Sequence, residues 1–157
     1  MGQLITPQLV QLNASPATKR EAIQMAGALL TQAGCIAPAY VDSLLAREEV
    51  ANTCLGHGVA IPHGMVEHRH LIQRTGIAVL QVPQGVAWNA QQTVRLVFAI
   101  AAQSDEHLQL LRQLTRLLQN EAVLEKLSTT SNPNDILQAL DQPTTFESTT
   151  VAEDFAD

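Results

Sequence analysis

Aromatic side chains are scarce in this 157-residue chain: one Trp, one Tyr and three Phe make up 3% of it. Proteins that hold single-stranded nucleic acid stack its bases on aromatic rings, and those that hold duplexes present a basic patch. With nine Lys and Arg against fifteen Asp and Glu, and a formal charge of −6, the sequence supplies neither, so nucleic acid is not an expected partner. Cysteine is scarce too. Cys35 and Cys54 follow no zinc or redox spacing, and two cysteines make no disulfide framework in a chain of this size. Both stand among apolar residues and read as small hydrophobes. No apolar run approaches the roughly 18 residues of a membrane span, and no signal peptide opens the chain. Direct membrane insertion is not expected, and a cytoplasmic setting is.

What the chain has instead is aliphatic mass: 46% of it is hydrophobic and 15% charged, the balance of a globular domain with one core. Ala22, Ile23, Ala26, Leu29 and Leu30 recur at helical spacing, predicting a helix over 18–33 that Gly34 closes. A second helix is expected over about 38–48, with Pro38 in its first turn and Leu44 and Leu45 inward. Residues 77–82 read as a strand ended by Pro83, and residues 94–101 as another, buried on both faces apart from Arg95. Ser104-Asp105-Glu106 opens a helix whose stripe is Leu108, Leu111, Leu114, Leu117 and Leu118. Asn132-Pro133 opens a last helix through about Leu140. Helices alternating with apolar strands predict an α/β fold with a single sheet covered by helices. From Gln142 onward the text turns acidic, Thr-rich and aperiodic. The expected division is a folded domain over 1–141 and an acidic flexible tail or interdomain linker over 142–157.

The densest chemistry lies in Leu55 to Gly64, L-G-H-G-V-A-I-P-H-G. A short apolar run breaks at Pro62 and presents His63, which places an imidazole at a sheet edge. Imidazole can serve near neutral pH as base, ligand or nucleophile. A metal reading would draw on Glu67, His68 and His70, yet E-H-R-H has the look of a polar loop, and Arg69 within it disfavours a cation. A hydrolase reading lacks a G-x-S-x-G elbow or a cysteine in a catalytic pattern. A third reading makes His63 the nucleophile towards a phosphoryl group. Arg47 is then a guanidinium fork for the phosphoryl oxygens, and His107, in the first turn of the helix from Ser104, stands where backbone N–H groups favour an anion.

Glu48, six residues, and then L-G-x-x-V-A-I-P-H-G closing on His63 resemble the phosphorylation-site signature of the mannitol/fructose class of enzyme IIA domains of the phosphotransferase system. The stretches G-V-A-W-N (85–89) and V-R-L-V-F-A-I-A-A-Q-S-D-E-H-L-Q-L-L (94–111) resemble the same family at the expected distance. Together with the acidic C-terminal segment, the wording is most similar to the IIA domains that open fructose-specific multiphosphoryl transfer proteins. The resemblance implies a single mixed sheet of about five strands flanked by helices on both faces. It implies that His63 is phosphorylated by the phosphocarrier protein HPr, or by a fused HPr-like domain, and passes the group to a cysteine of a sugar-specific IIB domain. By motif position, Arg47 and His107 would be the accessory groups, with no metal or organic cofactor. One departure stands out. Position 57 is His where the family commonly carries Asn, and its expected role is in the turn. A regulatory IIA module of the nitrogen type, which controls partners through its phosphorylation state, is the alternative reading.

Overall fold

The computed structural model describes residues 5–103, 112 and 114–140. Helix α1, Lys19–Gln32, starts at Thr18, whose hydroxyl accepts the Glu21 N–H (3.1 Å), while Glu21 reaches back to accept the Ala17 N–H (2.6 Å). These bonds answer donors that a helix start leaves open. It ends as expected. Gly34, at φ +79°, donates to the Thr31 carbonyl and Cys35 donates to that of Leu30, the paired bonds of a Schellman stop. Helix α2, Tyr40–Val50, follows a turn through Pro38 and buries Leu44. Later helical residues are 112 and 114–118 (α3), Glu121–Thr129 (α4) and 133–140 (α5). The expected start of α3 at Ser104, and the tail from 142, lie outside the described residues.

Five strands form one mixed sheet: β1 (Val10–Gln11), β2 (Cys54–Gly56), β3 (Val59–Ala60), β4 (Gly76–Asn89) and β5 (Gln92–Ala101). Their order is β1-β4-β5-β3-β2, with β1 parallel to β4 and β3 parallel to β5, and the remaining pairs antiparallel. Every residue from Gly76 to Val82 and from Leu96 to Ala101 is buried, so both faces of the central pair are covered; α1 and α4 each pack on β4 and β5. The α/β expectation and the strand number hold.

One boundary does not. Pro83 was expected to end a strand, but β4 runs on to Asn89. Gln81 pairs with Leu96 and Val86 with Val94, so residues 82–85 bulge opposite Arg95 alone. In a bulge Pro83 need not donate to the ladder, and its carbonyl accepts Arg95 Nε at 3.2 Å. Gly85, at φ +82°, makes the return that side chains disfavour.

Two buried polar groups tie the layers together. Gln81 accepts the Asn13 N–H and donates to the carbonyls of Leu127 and Thr130 at 2.9 Å each, satisfying the end of α4. Near the end of α2, the Glu48 carboxylate is buried and accepts from the Thr53 N–H (2.9 Å), the Thr53 hydroxyl (2.7 Å) and Trp88 Nε1 (2.9 Å). Lys19 Nζ lies 3.6 Å from it and 5.8 Å from the Trp88 ring centre. Glu48 thus clamps α2 to the start of β2 and to the β4–β5 hairpin. Glu48→Ala would leave the Thr53 and Trp88 N–H groups buried without an acceptor, with an expected loss of about 3 kcal/mol of unfolding free energy. Urea denaturation checks this, and an unchanged midpoint would mean that the carboxylate holds nothing.

Candidate functional site

Strand β3 runs beside β5, with Val59 opposite Leu96 and Ala60 opposite Val97. Ile61 then donates to the Thr53 carbonyl (3.0 Å), which keeps the chain against the β2 side. Pro62 cannot donate, but its carbonyl accepts the Ile100 N–H at 2.8 Å, and His63 forms an isolated parallel bridge with Ile100. The proline ends the ladder and still delivers the next residue in register. His63 is half-buried there.

The ring of His63 is oriented by its own backbone neighbourhood. Its Nδ1 lies 3.0 Å from the Ile61 carbonyl oxygen. A carbonyl only accepts, so Nδ1 carries the hydrogen and Nε2 the lone pair. The following residues are pinned to α2. Gly64 N–H donates to the Tyr40 hydroxyl (3.0 Å), and Met65 N–H to the Ser43 hydroxyl (2.7 Å), which also shares a hydrogen bond with His68 Nδ1 (2.8 Å). Glycine is required at 64 by close approach: a Cβ there would collide with the Tyr40 phenol.

A pocket of about 320 Å³ opens over His63. Tyr40, Arg47, Arg69 and Ile100 help to line it, and Val50 and Val66 stand exposed at its edge. Arg47, in the last turn of α2, donates through Nη1 to the Ala51 carbonyl at 2.7 Å, which anchors its head while its other N–H groups remain available. Burial pushes the Tyr40 phenol above its ordinary range, against the lowering effects of the Gly64 N–H and the nearby Arg69 guanidinium. At neutral pH it is a neutral O–H group.

Of the residues singled out from the sequence, His63 and Arg47 share this pocket, and His107 lies outside the described residues. His57 is elsewhere. It is exposed in the Gly56-His57-Gly58 turn, where all three residues have positive φ, at the opposite end of β3. Asn is favoured in that conformation and His tolerates it, which accounts for the departure from the family wording. Its Nδ1 is 3.8 Å from Glu121, beside a second pocket of about 230 Å³ that Arg95 and Glu125 also line. Among the described residues, no group of three or more His, Cys, Asp or Glu side chains is placed to hold a metal ion. Tyr40 and Arg69 went unnoticed in the sequence. Tyr40 is the only tyrosine, 24 positions from the Gly64 it contacts, and Arg69 was read only as an obstacle to metal binding.

The pocket therefore offers an imidazole with its lone pair on Nε2, guanidinium donors and a phenol, over partly apolar walls. Such a set can accept and hold an oxyanion-bearing electrophile.

Comparison with known proteins agrees with this chemistry. A family model described as phosphoenolpyruvate-dependent sugar phosphotransferase system, EIIA 2, matches residues 3–142. The chain is 58% identical over 136 residues to a multiphosphoryl transfer protein of Xanthomonas campestris pv. campestris, covering 87% of this chain and 16% of that one. It is 39% identical over 131 residues to the mannitol-specific EIICBA component of Escherichia coli strain K12, covering 82% of this chain and 21% of that one. The chain thus spans less than a quarter of the length of either relative. Its fold matches the IIA chain in the complex of mannitol enzyme IIA with phosphorylated mannitol enzyme IIB from Escherichia coli. There the TM-score is 0.82, with 36% identity over 87% of this chain and 96% of that one. Among the described residues, no helix is long and apolar enough to cross a membrane.

Tyr40→Phe removes the acceptor of the Gly64 N–H and is expected to cost about 1 kcal/mol at neutral pH. The folded-state pKa of Tyr40 is raised above the ordinary 10.0, so its contribution is present below pH 10.0 and lost as the pH rises through the folded value. The stability gap between wild type and variant should therefore narrow in that alkaline window. Denaturation curves measured along a pH series would contradict this if the gap stayed constant.

Proposed function

We propose a specific role for this chain, which belongs to the EIIA 2 family of the phosphoenolpyruvate-dependent sugar phosphotransferase system: it carries a phosphoryl group on Nε2 of His63. The group comes from the phosphohistidine of HPr, or of an HPr-like domain fused in the same protein, and goes to a cysteine of a IIB domain. On entry, the Nε2 lone pair forms a bond to phosphorus as the donor's N–P bond breaks, and Nδ1 keeps its hydrogen, donated to the Ile61 carbonyl. On exit, the IIB thiolate forms the S–P bond as the His63 N–P bond breaks. Both transfers need the attacking and leaving atoms in line with phosphorus and the three equatorial phosphoryl oxygens held by donors. Arg47 serves that role from the pocket wall, and His107 is assigned beside it by its place in the family wording.

The observation that carries this reading is the Nδ1–H bond to the Ile61 carbonyl, which puts the neutral ring's lone pair on Nε2 in a residue that lines a pocket together with two arginines. Fructose is the proposed sugar, supported by the higher identity to the multiphosphoryl transfer protein than to the mannitol component. Residues 142–157 are proposed to link this domain to another. The family match stops at residue 142, and the chain spans 16% of the Xanthomonas relative. The setting is the cytoplasm, where such carriers meet.

His63→Ala should abolish labelling without unfolding the domain. Intact-mass measurement after incubation with phosphoenolpyruvate, enzyme I and HPr reads it directly, and full labelling of the variant would overturn the assignment. Phosphorylated wild type should then lose its phosphoryl group to a fructose-type IIB domain. A protein that gives it to no IIB domain but binds a regulator in a phosphorylation-dependent way would favour the regulatory role. Arg47→Lys keeps the charge and loses the planar fork, so transfer should slow by about tenfold in single-turnover assays; a wild-type rate would remove Arg47 from the site.

A further inference from the structure

Arg69 stands on the short 3-10 turn Val66–Leu71, just after the histidine, and lines the same pocket. It is half-buried, its carbonyl accepts the Ile72 N–H, and its guanidinium makes no hydrogen bond or ion pair with any described residue. Arg47, in contrast, already spends one N–H on the Ala51 carbonyl. A guanidinium partly withdrawn from water without an anion costs free energy, and the cost is offset once an oxyanion occupies the space in front of it. Among the described residues, Glu67 is the only carboxylate that lines the pocket, and it is exposed, where its charge opposes an incoming phosphoryl group. Two guanidinium charges against that single carboxylate leave the described walls net positive while His63 is neutral.

Arg69 and the residue next to His63 meet at Tyr40, which lines the same pocket. The phenol oxygen accepts the N–H of Gly64, next to His63, and the same phenol feels the Arg69 charge. The guanidinium therefore acts within reach of the loop that carries the phosphoryl acceptor.

We propose that Arg69 is a second phosphoryl-binding cation of this site, donating N–H groups to the oxygens of the group on His63 Nε2 alongside Arg47. The assignment rests on His63 being the phosphoryl carrier. Arg69 forms no covalent bond and stays protonated throughout. It neutralises charge spread over the phosphoryl oxygens, which is present in the phosphohistidine and in the loose transition states on either side of it. A fork that binds two oxygens also restrains rotation about the new N–P bond.

The test compares the full chain with Arg69→Gln, Arg69→Lys and His63→Ala, with thermal unfolding to verify folding. Each is labelled by phosphoramidate, a small phosphodonor with no protein surface to dock, and separately by phosphorylated HPr. Arg69→Gln is expected to slow labelling by about tenfold from both donors, with partial recovery in Arg69→Lys, and to shift the phosphorus NMR signal of the phosphohistidine. Wild-type labelling from phosphoramidate, together with an unshifted signal, would overturn the proposal. A slowing seen only with HPr would assign Arg69 to protein docking and overturn it as well. If wild type takes label from neither donor, or His63→Ala is labelled like wild type, the carrier reading itself fails and takes this proposal with it.

Discussion

The buried Glu48 carboxylate is the constraint around which the functional end of the domain is arranged. A charge withdrawn from water must have its acceptor sites filled, and here three donors fill them, two from Thr53 five residues on and one from Trp88 forty residues on. Thr53 precedes β2, and Trp88 sits near the tip of the β4–β5 hairpin, so α2, the small β2–β3 pair and the large hairpin can meet in only one way. The next residue back on α2 is Arg47. The Thr53 carbonyl holds Ile61, whose own carbonyl orients the His63 ring. A single carboxylate thereby sets the geometry of a pocket to which it contributes no lining atom. Any other packing would bury this charge with its acceptor sites unfilled, which disfavours the alternatives.

Much of the reactive geometry is built from backbone. The Pro62 carbonyl places the residue, the Ile61 carbonyl selects its tautomer, and the Gly64 and Met65 N–H groups fasten the loop to hydroxyls of α2. Side chains are left to supply charge and shape. This explains the density of the sequence here: proline where a donor is dispensable, glycine where a phenol ring needs the space, and apolar residues where the strand is covered on both sides.

The parts of the fold that depend on local rules were legible. Thr18 with Glu21, Gly34, and Asn132 before Pro133 mark helix ends through bonds made within a few residues, and each makes those bonds. The continuous apolar run of β5 announced a central strand. Pro83 misled because the ladder requirement it violates is suspended by a bulge, and bulges leave no periodic trace. His63 was legible from its wording. Its partners were less so: Trp88 meets Glu48 across 40 positions and Tyr40 meets Gly64 across 24, separations at which spacing carries no signal. Arg69 was obscured differently, because its flanking histidines suggested a polar loop, and its value lies in the pocket it faces.

The strand order has a consequence for when the chain becomes competent. His63 is aligned by Ile100, on a strand synthesised after it, and β5 itself is seated against β4. The ten-residue motif that looks self-sufficient on paper is incomplete in a nascent chain until the hairpin behind it has emerged and closed. Alignment of the His63 ring is thus a late product of folding, reporting that the central sheet is assembled.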